Sequence, residues 1–188
     1  MNDKCKLLFK LSQFGYTIVF IGVCISIWVN IDFLRVANGV FFVIYILNLW
    51  MAGVDTESYY DERYFCIDAI SLALYSSLIS TFIKEKDIKI FTTRCLVMLF
   101  LNEVLAMTWD RICHGVTTSD DGKKFLDKWS IMSGIGILIV AVCLALLLFS
   151  EQFQEKIWIY ALNFTSTLYQ VFMLICWNLD RIKTKPDQ

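Results

Sequence analysis

Glu103, Asp110 and His114 are the residues of this chain whose types and spacing could do chemistry. On an α-helix they stand at i, i+7 and i+11, within about 20° of one face. Two carboxyls and the chain's one histidine are groups that take up and release protons and attract cations. Glu103 falls near the middle of a mostly apolar stretch, 92–113, with Asn102 beside it. If that stretch crosses a bilayer, the carboxyl lies close to the midplane, where a charged form facing lipid costs several kcal/mol. It must therefore face protein or water. Asp110 and His114 continue the stripe toward one membrane surface, and Arg94 lies roughly opposite near the other end, placed to snorkel.

Other polar side chains could complete such an interior. Asn163, Ser166 and Gln170 follow i, i+3, i+7 in the last apolar stretch and share a face. The expected polar path is Glu103 with Asn102, Asn163 and Gln170, and with Asp110 and His114 as its inner mouth. The plainer reading is an interhelical hydrogen bond from Glu103 to Asn48, Asn163, Gln170 or a serine of the third stretch. Ala69, Ala73, Ser77 and Thr81 recur every four residues in that third stretch, a small-residue stripe that lets two helices approach closely. Asp68, one turn into the same helix, reads as structural, a negative charge near the positive end of the macrodipole. Ser133-Gly134-Ile-Gly136 and Ala141-x-x-x-Ala145 form a further packing face.

The elements that must position these residues are six stretches of roughly twenty apolar residues, near 11–29, 33–53, 64–83, 92–113, 129–150 and 156–179. Tryptophans stand at their ends (Trp28, Trp50, Trp109, Trp129, Trp158 and Trp177), where an amphipathic indole meets the membrane–water interface. The 188 residues are 57% hydrophobic, and the mean hydropathy is +0.59. A soluble bundle should carry a polar stripe on every helix, and Ile135–Phe149 carries none. The expectation is an all-α, polytopic integral membrane protein: one transmembrane domain, 1–188, of about six helices. Spans 1 and 5 should form the lipid-facing shell, a reading that Ser26 and Ser133 qualify. The lone Pro186 leaves the spans without a proline kink.

Charge sets the expected orientation. With the N-terminus inside, eleven of the 17 Lys and Arg fall on the cytoplasmic side and six outside, which places both termini in the cytoplasm. A polar cytoplasmic tail, 180–188, follows the last span. Val54–Arg63 is an acidic, aromatic connection and Gly115–Lys128 a polar one with turn chemistry. The N-terminus reads as an uncleaved first span. Even-numbered spans end in Asn48-x-Trp50, Trp109-Asp-Arg-Ile112 and Trp177-x-x-Asp180-Arg-Ile182, a pattern compatible with three repeated hairpins.

Several classes are disfavoured. The seven cysteines are scattered, without a C-x-x-C pair, so neither a disulfide framework nor a zinc site is expected. No metal and no cofactor is expected. A net charge of −1 without a basic cluster or aromatic platform gives no support for nucleic acid as a partner, and none is expected. G-x-S-x-G, P-loop and dinucleotide patterns are missing. Trp109-Asp-Arg-Ile-Cys-His-Gly115 is superficially similar to the Asp-Arg stretch of lipoprotein signal peptidases. The Asn-then-Asp half of that pattern is absent, because Asn163-Phe-Thr-Ser166 carries no acid, so the likeness implies no activity. The leading expectation is a channel or transport-related protein with the polar path around Glu103. The alternative is a non-transporting accessory or regulatory subunit that grips a partner through small-residue faces and the acidic connection; an enzyme is a distant third. Expected partners are the lipid bilayer and either further copies of the chain or another membrane protein.

Overall fold

The computed structural model describes residues 3–29, 31–55, 60–116 and 120–184. Among them lie six α-helices: α1 (Asp3–Val29), α2 (Phe33–Asp55), α3 (Glu62–Lys84), α4 (Ile88–Val116), α5 (Asp120–Phe149) and α6 (Lys156–Thr184). A 3-10 turn, Glu151–Gln154, joins the last two. All six helices are long and apolar enough to cross a membrane, the signature of a multi-pass integral membrane protein. Residues 56–59 of the acidic connection, 117–119 of the second connection and 185–188 of the tail lie outside the described residues.

Local chemistry sets the helix starts. The Asp61 carboxylate accepts from the amides of Arg63 and Tyr64 and caps α3, and Asp87 accepts from Lys89 and Ile90 at 2.8 and 3.0 Å to cap α4. Burial raises the Asp61 carboxyl, but the Arg63 guanidinium and the two amides outweigh it and hold the group below its ordinary value. The polar connection expected at Gly115–Lys128 is mostly helix, because α5 starts at Asp120. Asp120 and Asp121 occupy its first turn, where carboxylates favour a helix N-terminus. The expected tail likewise begins as helix, since α6 continues to Thr184.

The chain forms two compact units, Met1–Arg94 and Cys95–Gln188, with the boundary inside α4. In the first, α1 runs parallel to α3: Lys4 meets Glu62, Ser12 meets Asp68, and Gly15 and Gly22 lie against Leu72 and Ile79. The two glycines are seven residues apart, as are their partners, so one stripe of each helix stays in contact over two turns. A Cβ on either glycine would stand 2.5 Å from the tip of the leucine or isoleucine. α2 runs antiparallel to both, with Gly39 against Ile27 and Phe42 against Tyr75. Its buried Arg35 donates to the Glu85 carbonyl that ends α3 and lies 5.3 Å over the Phe91 ring. A cation there complements the negative end of the α3 dipole.

α3 buries Tyr64, Ile67, Asp68, Ser71, Tyr75, Leu78, Thr81 and Phe82. Of the four residues expected to pack helices together, only Thr81 is on that face; Ala69, Ala73 and Ser77 are exposed. Close approach in this unit comes instead from the glycines of α1.

In the second unit α5 runs antiparallel to α6, with Tyr169 donating to the Met132 carbonyl at 2.9 Å and Lys128 paired with Asp180. α4 runs antiparallel to α5, with Glu103 against Gly136 and His114 against Asp127. α1 and α5 bury the smallest share of their spans. On α1, Leu7, Leu11, Phe14, Ile18, Ile21, Ile25 and Trp28 make one continuous exposed stripe, a surface suited to lipid rather than water. Both helices nevertheless send polar side chains inward: Ser12 and Tyr16 from α1, Ser133 from α5.

Candidate functional site

Glu103 is 4% exposed, about 20 Å from either end of the 29-residue α4. Gly136 of α5 makes room for it: a Cβ there would lie 3.1 Å from Glu103 Cδ and 3.1 Å from Tyr169 Cε1. The carboxyl accepts from the Ser133 hydroxyl of α5 and the Gln170 amide of α6, both buried. The Tyr169 hydroxyl, on the next residue, is spent on a backbone carbonyl.

Asp110 lies on the same face of α4, between Glu103, which meets Gly136, and His114, which meets Asp127. Asp110 is half-buried. On α5, Trp129 is 3% exposed, with no hydrogen-bond partner for its Nε1. Below it, Lys128 lies 5.3 Å over the indole ring. At the end of the stripe, half-buried His114 stands 3.5 Å from exposed Asp127.

The residues expected along the path are thus brought into one unit. Glu103, Gln170 and the Asp110–His114 stripe share the interior of α4, α5 and α6. Asn102 and Asn163 are buried too, and Ser166, on the face of α6 expected to carry Asn163 and Gln170, donates to the Leu162 and Asn163 carbonyls. Two contributors were not anticipated in this role: Ser133, read only as part of a packing face, and Trp129, read only as an interfacial anchor. Their shared signal is the i, i+4, i+7 spacing of Trp129, Ser133 and Gly136 on one face of α5.

The first unit holds a second buried carboxyl. Asp68 is 4% exposed and accepts three hydroxyls: Ser12, Tyr16 at 2.8 Å and Tyr60 at 2.5 Å. Phe9 meets the Tyr60 ring edge-on at 5.4 Å and Tyr64 stacks on it at 5.8 Å. Burial, then the Asp68 carboxylate beside it, push the Tyr60 phenol far above its usual range, so it remains a donor. With all three hydroxyls donating to the carboxylate, this cluster is a closed latch joining α1, α3 and Tyr60, two residues before α3. Ser12 and Tyr16, spaced i, i+4 among apolar residues, carried the signal for it.

Among the described residues, no three His, Cys, Asp or Glu side chains converge where a metal could bind. The chain matches no protein-family model, no curated protein and no solved structure. The functional reading rests on the geometry alone.

Proposed function

We propose that the protein is a multi-pass membrane protein of channel or transport type, with both termini on the cytoplasmic face. The buried seam of α4, α5 and α6 is its path. One observation carries this reading: a carboxyl buried midway along a 29-residue apolar helix, hydrogen-bonded to polar side chains of two other helices, Ser133 and Gln170. Ionisable side chains placed so deep in apolar helices line ion and solute pathways.

The test is flux into proteoliposomes holding the purified chain. Flux is expected with the native protein and is lost in Glu103→Gln, a change that keeps size and removes the acid. Equal flux in the two preparations removes the basis of the proposal.

The exposed face of Ala69, Ala73 and Ser77 favours a second reading, a subunit that binds a partner helix there. Copurification of a partner at fixed stoichiometry, lost in Ala73→Leu, supports that reading. A lone preparation competent for flux counts against it.

A further inference from the structure

We infer that one end of the first unit holds an anionic phospholipid, its headgroup phosphate bound by Lys84, Lys86 and Lys89 of the α3–α4 connection. The inference does not depend on the transport reading and requires only that the apolar helices cross a bilayer. Because α1 and α3 run parallel and α2 antiparallel to both, the end of α1, the start of α2, the end of α3 and the start of α4 meet at that end. Arg35 of α2 reaches the Glu85 carbonyl there, and Phe82 of α3 meets Phe91 of α4 at 5.2 Å.

Charge at this end opposes that of the chain. Residues 31–35 and 83–94 carry five cations and three carboxylates, in a protein of net charge −1. All three carboxylates are engaged within the unit. Asp32 pairs with Arg35 at 3.3 Å and accepts from its amide at 2.9 Å. Glu85 pairs with Arg94 at 3.4 Å and accepts from the Asp87 amide at 3.2 Å. Asp87 caps α4 through the amides of Lys89 and Ile90. The two arginines are thereby matched. Lys84, Lys86 and Lys89 make no ion pair with any described residue; the first two are exposed and the third half-exposed. An anion from outside the chain is their natural counter-charge.

The apolar surroundings select which anion. Trp28 and Phe33 are 76% and 73% exposed at the same end, and Ile83 and Ile90 are exposed beside the lysines. An exposed indole at a span end marks the boundary between hydrocarbon and water. The lysines therefore stand at headgroup level, where ammonium groups attract anionic lipid. Free phosphate would meet the ammonium groups and leave the isoleucines in contact with nothing it can offer. A phospholipid matches both, with phosphate oxygens accepting from the lysines and acyl chains against the apolar side chains.

The test uses the full chain, purified in neutral detergent and titrated with phosphatidylglycerol or phosphatidylcholine, bound lipid being counted by native mass spectrometry. Tighter retention of phosphatidylglycerol is expected. It should weaken about fivefold for each lysine replaced, and so about 100-fold in the triple variant Lys84→Gln, Lys86→Gln, Lys89→Gln. The three side chains make no internal ion pair, so the variant should melt with the native chain; if it does not, Lys86→Glu alone, at an exposed position, decides by the same readout. Equal retention of the two lipids by the native chain overturns the inference, as does an undiminished preference in the variants. Displacement of phosphatidylglycerol by millimolar inorganic phosphate also overturns it, since free phosphate is then the ligand. An acidic protein that copurifies through these lysines, without lipid preference, overturns it in favour of a protein contact. None of these results bears on Glu103-dependent flux.

Discussion

Replacing Asp68 by leucine should be among the most destabilising single changes in the first unit. Leucine removes the acceptor for three hydroxyls at once, those of Ser12, Tyr16 and Tyr60, all on residues no more than 2% exposed. On the scale measured between transmembrane helices, about 0.6 kcal/mol per hydrogen bond, three bonds contribute about 2 kcal/mol. On the scale for bonds to a charged acceptor in water-soluble proteins, about 1.5–3 kcal/mol each, the sum is about 5–9 kcal/mol. Depth decides between them. Asp68 lies six residues into α3, about 9 Å from its start, close enough to the headgroups for the separated hydroxyls to find water. The expected loss is therefore about 2–4 kcal/mol. Asp68→Asn keeps the shape and one acceptor oxygen and should cost about half as much. The assay is equilibrium unfolding in mixed micelles, with a double-mutant cycle between Asp68→Asn and Tyr16→Phe to isolate their coupling. An Asp68→Leu chain that unfolds at the native midpoint refutes the latch.

Three further outcomes are expected. Gly22→Ala should be tolerated, since only the Ile79 tip must move from 2.5 Å, whereas Gly22→Ile should separate α1 from α3 at a cost of about 1–3 kcal/mol; thermal unfolding distinguishes the two, and Ile79→Ala should rescue the larger change. Asp61→Ala removes the α3 cap and should cost about 1 kcal/mol. Because the folded Asp61 carboxyl sits below its ordinary 3.8, its contribution is present above that value and is lost as the pH falls through the lower folded value; an Asp61→Ala chain should show a weaker acid dependence, read from the unfolding midpoint against pH. At Gly136, alanine asks Glu103 and Tyr169 to yield a few tenths of an ångström from 3.1 Å, while Gly136→Val should displace the carboxyl and abolish flux without unfolding the chain, a result that tryptophan fluorescence and proteoliposome uptake test together.

The six helices and the mid-helix position of Glu103 were legible because both are local properties. Twenty apolar residues are long enough to cross a bilayer whatever they pack against, and a carboxyl in the middle of such a run is placed by counting alone. The shared face of Glu103, Asp110 and His114 followed from helical geometry in the same way. The start of α5 was misplaced for a related reason. Asp120–Lys128 is polar, and hydropathy cannot see a helix that extends beyond the hydrocarbon, although the acidic first turn was there to read.

Which face of each helix turns inward was a different matter. In water, the polar side of a helix betrays its orientation. In lipid the outward face is as apolar as the inward one, so sequence periodicity loses its force. Ala69, Ala73 and Ser77 form a sound packing stripe, yet α3 buries the neighbouring face because Gly15 and Gly22 admit Leu72 and Ile79 there. That rotation brings Asp68 against Ser12 and Tyr16 of a helix more than fifty residues away. The sequence by itself determined the number of long apolar helices and the place of each acid along them. Tertiary structure decided which groups each acid meets, because that depends on the rotation and register of packed helices, quantities set by side-chain shape across the interface rather than by hydropathy along the chain.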